Sequence, residues 1–188
     1  MSQSKHFLRD HFLISMPHMD SDDFAKTIIY LCDHSDYGAM GLVINKPIGM
    51  KLGQMLNHLE LDSGQKALDT SIFAGGPVQD DRGFVLHRPY RNDPWVQTYK
   101  ITEEIQLTTS LDILESITHH DDFQGMIALG YAGWGPGQLE KEISDNVWLS
   151  CPANSDILFD MPVDERMQAA AGLLGIKLNQ LTAHSGHA

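Results

Sequence analysis

Residues 125–143 read Gly-Met-Ile-Ala-Leu-Gly-Tyr-Ala-Gly-Trp-Gly-Pro-Gly-Gln-Leu-Glu-Lys-Glu-Ile, and this stretch decides the fold class. Its first seven residues form an apolar run with the length of a buried strand. A glycine-rich loop follows, and Pro136 stands where a short helix over 138–143 can begin. A buried strand that leads into a helix predicts a sheet covered by helices, with this strand near the centre of the sheet.

The rest of the chain mixes the two element types without strict alternation. Apolar runs bounded by turn residues predict strands at 12–16, 41–44, 72–74, 84–87, 147–149 and 157–159. Apolar positions at helical spacing predict helices over 24–32 with Asp20 or Ser21 as N-cap, over 52–59, from 110 or 112 onward, and over 162–174. This order favours an α+β fold, with a mixed sheet surrounded by helices, over a doubly wound parallel sheet.

Length and composition are those of one globular domain. The 188 residues predict a single domain over 1–183 and a disordered tail over 184–188. The two cysteines, Cys32 and Cys151, are too few and too far apart for a disulfide framework, and free thiols fit a reducing compartment. No apolar run has the length of a signal-peptide core or a membrane span, so we expect a cytoplasmic protein without membrane contact.

The charge balance counts against nucleic acid as a partner. Thirteen lysines and arginines stand against 25 aspartates and glutamates, which gives a net charge of −12. A duplex-binding protein needs a basic surface that neutralises phosphates. The densest basic stretch lies between residues 82 and 100, and acidic residues are interleaved with it.

The loop within 130–143 is the strongest candidate for a binding site. Glycines let backbone amides approach a ligand closely, and the first amides of a helix are unpaired donors that suit an anion. Tyr131, Trp134, Gly135, Gln138 and Glu142 are the side chains and backbone positions that such a site would use. The alternative interpretation is a compact turn in which Trp134 covers the core. The loop lacks the Gly-Lys-Ser/Thr of a phosphate-binding P-loop.

Three further residues are candidates for chemistry. Asn45 and Lys46 end a predicted strand, where Lys46 either binds an anion or is solvated. His87 lies in another predicted strand and is either an acid or base near neutral pH or a hydrogen-bonded packing residue. No H-E-x-x-H or C-x-x-C pattern occurs, so neither a metal site nor a cofactor is expected.

The blocks 41–47, 75–78, 84–87 and 130–143, followed by Trp148, resemble those of the YqgE/AlgH family of bacterial proteins, in matching order over nearly the whole chain. The resemblance implies a single domain with a bifurcated mixed β-sheet, part of it barrel-like, wrapped by helices. It implies no reaction, and it associates the family with transcriptional regulation.

These observations favour a cytoplasmic binding protein with an indirect regulatory role, which acts through a protein partner or a small ligand such as an anion. We expect the ligand-binding residues to converge on one cleft; they are Asn45, Lys46, His87, Tyr131, Trp134, Gly135, Gln138 and Glu142. One alternative is an undescribed enzyme that uses His87 beside the 130–143 segment. The other is direct DNA binding, which the net charge disfavours.

Overall fold

The computed structural model describes residues 7–17, 19, 23–92 and 94–181, which form strands and helices in mixed order. The strands are β1 (His11–Ser15), β2 (Ile28–Ser35), β3 (Gly38–Val43), β4 (Pro47–Lys51), β5 (Ser71–Ala74), β6 (Val78–His87), β7 (Thr98–Lys100), β8 (Gln106–Thr108), β9 (Gly125–Trp134) and β10 (Trp148–Pro152). The helices are α1 (Leu52–His58), α2 (Asp112–Ile117), α3 (Gln138–Ser144), α4 (Ser155–Phe159), α5 (Arg166–Leu173) and α6 (Leu178–Leu181).

Strand β9 is the centre of the sheet, as the sequence predicts, and the sheet divides along it. The first half of β9 pairs with β5 in parallel and with β6 in antiparallel orientation. Its second half pairs with β3, from which the sheet continues through β2 and β1 to β10. The sheet is therefore mixed and bifurcated, and the prediction of an α+β single domain with such a sheet is confirmed.

The division of the sheet depends on glycines that let backbone meet backbone. Gly130, at a φ of +72°, ends the pairing of β9 with β5. Gly75, directly after β5, bridges β9 and β3, because its amide donates to the carbonyl of Leu129 and its carbonyl accepts from the amide of Val43. A Cβ on Gly130 would lie 2.2 Å from the carbonyl oxygen of Gly76. Any side chain here would separate the two parts of the sheet, which is the reason for glycine.

The two ends of the sheet curl toward each other and enclose the main core. The guanidinium of Arg9, just before β1, donates to the carbonyl oxygens of Lys100 and Ile101 at the end of β7, at 2.6 and 2.7 Å. Side chains from β1, β2, β6 and β8 pack inside this half-barrel, and α4 and α5 close its open side. Two smaller apolar clusters lie outside it, one under α1 and α2 and one under α3.

Two predicted elements are wrong. The segment 28–35 is a strand rather than a helix, because Ile28 to Leu31 are buried on both faces and a fully apolar run carries no usable periodicity. The segment 157–159 belongs to helix α4 rather than to a strand. Asn154 caps that helix by accepting hydrogen bonds from the amides of Asp156 and Ile157.

The remaining predictions fall partly outside the described residues. Asp20 and Ser21, the proposed N-cap residues, lie outside them, as does the tail 184–188. Helices α1, α2, α3 and α5 lie where the sequence predicts them, and α5 is followed by Gly175 at a φ of +70°. Within the described ranges, no helix is both long and apolar enough to cross a membrane.

Candidate functional site

The polar groups of the 130–143 segment satisfy one another. The indoles of Trp134 and Trp148 both donate to one carboxylate oxygen of Glu142, at 2.8 and 2.9 Å. The amide nitrogen of Gln138 donates to the other oxygen of Glu142 at 3.0 Å, and its amide oxygen accepts from the backbone N–H of Gly135 at 3.0 Å. The segment is thus tied to β10 by a carboxylate.

This network favours the compact-turn interpretation of the glycine loop. The Gly135 amide, which the anion hypothesis needs as a donor, already has an acceptor inside the loop. The Trp134 side chain is 7% exposed and packs edge-on against Trp148, with 6.1 Å between ring centroids. The following helix has only seven residues, and its N-cap, Gly137, has a φ of +75°. These features position side chains rather than hold a phosphate.

His87 lies apart from that segment. Its side chain is 0% exposed and packs against Trp95 and Phe123 in the cluster under α1 and α2. Its Nδ1 donates to the carbonyl oxygen of Arg88 at 2.8 Å, and its Nε2 lies 2.7 Å from the hydroxyl of Thr108. The structure therefore overturns both the enzyme hypothesis built on an accessible His87 and the expected convergence of all candidates on one cleft.

Asn45 and Lys46 fasten a turn. The side-chain oxygen of Asn45 accepts from the amide of Ile28, its side-chain nitrogen donates to the carbonyl of Lys26, and the Lys46 ammonium donates to the carbonyl of Asp23. The turn over 23–27 places Phe24 edge-on to Trp148, with 5.9 Å between ring centroids. The two residues therefore shape the rim of the Trp134–Trp148 region without facing the other candidates.

A groove of about 670 Å³ lies at the mouth of the half-barrel. Three tyrosines from different strands and turns line it. Tyr37, at the β2–β3 turn, is 90% exposed, Tyr99 on β7 is 59% exposed, and Tyr131 on β9 is half-buried. Tyr131 packs edge-on against Phe84, over which the Arg82 guanidinium lies. We call this surface the tyrosine groove.

A second cavity of about 460 Å³ continues the groove toward the N-terminal end of β1. It shares Asp33, Met40 and Tyr99 with the tyrosine groove and ends at Arg9. Asp33 and two arginines, Arg9 and Arg82, give the combined groove mixed polarity. The surface offers aromatic faces with charges of both signs, an arrangement typical of macromolecular recognition.

Sequence reasoning identified only Tyr131 and Trp134 among the residues that border this groove. Tyr37 and Tyr99 are separated by 62 positions, and neither belongs to a recognisable motif. One feature of the sequence could have indicated the groove. Tyr37 stands in the turn Asp36-Tyr37-Gly38, where its aromatic side chain is exposed and does not contribute to the core. Among the described residues, no group of three or more histidines, cysteines or carboxylates is placed to hold a metal ion.

A pH-dependent carboxyl lies beside the groove at Asp10. Its Oδ1 accepts the Tyr30 hydroxyl at 2.9 Å, and burial raises the pKa of Asp10 above its ordinary value, an effect that the Tyr30 hydrogen bond, His11 and Arg9 oppose. A carboxyl with a raised pKa binds its proton more tightly in the folded state. Protonated Asp10 therefore stabilises the folded state in full at pH values below its unfolded-state pKa. This stabilisation is lost as the pH rises through its folded-state pKa.

We therefore expect Asp10→Asn to be more stable than the wild type near neutral pH. Asparagine keeps an oxygen for Tyr30, cannot ionise, and tolerates the φ of +60° at this position. Urea unfolding at a series of pH values measures the difference in the free energy of unfolding. That difference should shrink as the pH falls below the ordinary pKa of aspartate, and a constant difference would show that ionisation of Asp10 plays no part.

Comparisons with known proteins agree with this architecture. The model of the family described as AlgH-like, DUF179, matches residues 12–179. A UPF0301 protein of Nitrosococcus oceani is 48% identical over 97% of both chains, and one of Hahella chejuensis is 48% identical over 100% of both. The solution structure of the AlgH protein from Pseudomonas aeruginosa is 47% identical, covers 100% of both chains, and superposes with a TM-score of 0.78.

A crystal structure of a Corynebacterium diphtheriae protein shares the fold at 18% identity, with a TM-score of 0.60 over 83% of this chain and 81% of that one. The family match and the full-length relatives cover the same strands and glycine turns that build the bifurcated sheet. This chain therefore belongs to the AlgH-like family.

Proposed function

We propose that this chain is a cytoplasmic binding protein that acts on gene expression indirectly, by holding a protein partner in the tyrosine groove. The observation that carries the proposal is the exposure of Tyr37 and Tyr99 beside an open groove. Large aromatic side chains left in water lose the free energy that burial would provide, so their clustering in one concavity suggests that a partner covers them.

The chemistry of the groove fits a protein better than a polyanion. Tyrosine and arginine are enriched at the centres of protein interfaces, where an aromatic ring buries a large area and its hydroxyl still finds a hydrogen-bond partner. Tyr37, Tyr99 and Arg82 supply both residue types around the same concavity. The net charge of −12 would repel a nucleic-acid duplex, which supports an indirect route to regulation.

The test compares the wild type with the double variant Tyr37→Ala/Tyr99→Ala. Each protein is immobilised, proteins retained from a bacterial extract are identified, and the affinity of each purified candidate is then measured in solution. Loss of two interface tyrosines should weaken a specific partner by about tenfold or more. Both side chains are exposed, so the fold should keep its thermal stability.

The matched control is Val96→Ala, which removes an apolar side chain that is 83% exposed and does not line the groove. It should leave the affinity unchanged. A partner that binds the double variant and the wild type equally well would contradict the assignment of the groove as the docking surface.

A further inference from the structure

A second concavity adjoins the tyrosine groove at Gly133 and Trp134, is otherwise lined by different residues, and does not depend on the proposed function of the groove. It has a volume of about 260 Å³. Its lining consists of three aromatic residues, two polar residues and three small or apolar ones, namely Phe24, Trp134, Trp148, Gln138, Glu142, Met19, Gly133 and Val147. The Trp134 side chain packs in the cluster under α3, whereas the Tyr131 side chain packs toward the half-barrel, so these two side chains lie on opposite faces of β9. We call this smaller concavity the aromatic depression.

The carboxylate of Glu142 is held there by hydrogen bonds rather than by an ion pair. Its three hydrogen bonds come from neutral donors, namely two indole N–H groups and one amide. Its neighbour Lys141 forms an ion pair with Asp145 instead, and within the described part of the chain no cationic side chain is in ion-pair contact with Glu142. One oxygen accepts both indoles, while the other accepts Gln138 alone among the described residues, and a carboxylate oxygen can accept more than one hydrogen bond.

The rings beside this carboxylate are arranged to receive a cation. Phe24 and Trp134 both stand nearly perpendicular to Trp148, at interplanar angles of 75° and 77°. These edge-to-face contacts bury most of both indoles, whereas Phe24 is half-buried and keeps ring surface open, and the negative π-face of such a ring attracts an ammonium group. The half-buried negative charge of Glu142 adds to that attraction because the apolar walls screen it less than water would.

We propose that the aromatic depression binds the alkylammonium group of a small organic cation. The half-buried ring of Phe24 would contact the carbons around the nitrogen, and the carboxylate of Glu142 would face its positive charge. The depression is large enough for a quaternary or primary ammonium head.

The test titrates the full-length protein with choline at constant ionic strength and follows the indole N–H resonances by NMR. The chain has three tryptophans, and Trp95 lies in a different cluster, so it serves as an internal control. We expect saturable shifts of the Trp134 and Trp148 signals, with a dissociation constant on the order of a millimolar for so small a ligand. The Trp95 signal should not move.

An uncharged carbon isostere of choline, dimethylbutanol, separates cation binding from simple apolar burial. It should bind at least about fivefold more weakly than choline. Equal binding of the two compounds, or no saturable shift with choline or a lysine peptide, would overturn the proposal. A short glycine-flanked lysine peptide distinguishes the source of the cation, because tighter binding of the peptide indicates a partner's lysine and tighter binding of choline indicates a free metabolite.

Two variants locate the binding. Phe24→Leu keeps an apolar side chain at the rim but removes a ring face, and it should weaken choline binding by about fivefold. Glu142→Gln keeps an oxygen acceptor for the indoles and removes the charge, and it should weaken choline without weakening dimethylbutanol. Thermal melts of both variants confirm that they are folded, and unchanged choline affinity in two folded variants would contradict the site.

Discussion

Gly76→Ala is expected to lower the free energy of unfolding by about 4 kcal/mol, because strain and overpacking act together at this position. A Cβ on Gly76 would lie 2.1 Å from the carbonyl carbon and 2.3 Å from the carbonyl oxygen of Tyr131, and 2.4 Å from the amide nitrogen of Ala132. All three are backbone atoms of the central strand, so no rotamer change relieves the contact. The φ of +155° at Gly76 adds backbone strain.

Urea unfolding followed by circular dichroism measures this loss, and Gly172→Ala is the matched control. Gly172 lies in helix α5, is exposed, and has nothing within 4 Å of the position that a Cβ would take. The same chemical change there should raise the free energy of unfolding by about 0.5–1 kcal/mol, because alanine is the better helix former. Similar effects of the two substitutions would mean that the contact between Gly76 and β9 does not constrain the sheet.

Glu142→Ala is expected to cost about 3 kcal/mol, since it leaves the two indole donors without their acceptor in a nearly buried setting. Trp134 on β9 and Trp148 on β10 meet through this single carboxylate, at 2.8 and 2.9 Å. Its loss therefore also loosens helix α3, which carries Glu142, from the sheet beneath it. The same unfolding measurement gives the free energy, and tryptophan fluorescence reports whether the indoles become exposed to water.

The neighbouring substitution Lys141→Ala is the control on the same helix. Lys141 is exposed and forms an ion pair with Asp145, and an exposed pair of this kind contributes little to stability. Glu142→Gln should fall between the two, because the amide oxygen still accepts a hydrogen bond while the charge is gone. If Glu142→Ala were no more damaging than Lys141→Ala, the carboxylate would not be the link between β9 and β10.

The sequence predicted the structure best where local chemistry and tertiary packing agree. The apolar run over 125–131 became the central strand, and the helix after Pro136 lies where its apolar spacing places it. The prediction of a helix was wrong at Ile28–Ser35, where burial on both faces removes the alternation that distinguishes a strand from a helix. A short apolar run was also misassigned over 157–159, where the Asn154 cap outweighs the β-branched Ile157.

Residue candidates chosen by type were predicted less well than the elements. His87 is chemically versatile, but its exposure to solvent depends on Trp95, in the loop after β6, and on Phe123, between α2 and β9. Gln138 and Glu142 are four residues apart on α3 and share one side of that helix, as helical spacing requires. Their common role in holding Trp148 could not be read from spacing, since it depends on how β10 lies beside α3.

The sequence by itself determined the class of fold, the central strand and the glycine turns, because these depend on hydrophobic pattern and backbone freedom within a few residues. Only the tertiary structure decided which side chains form surfaces. Tyr37, Tyr99 and Tyr131 share one groove because β2–β3, β7 and β9 curl into the same half-barrel, and Phe24 meets Trp148 because a turn is fastened by Asn45. Such contacts between distant side chains follow from strand pairing across long sequence separations, which no local sequence pattern encodes.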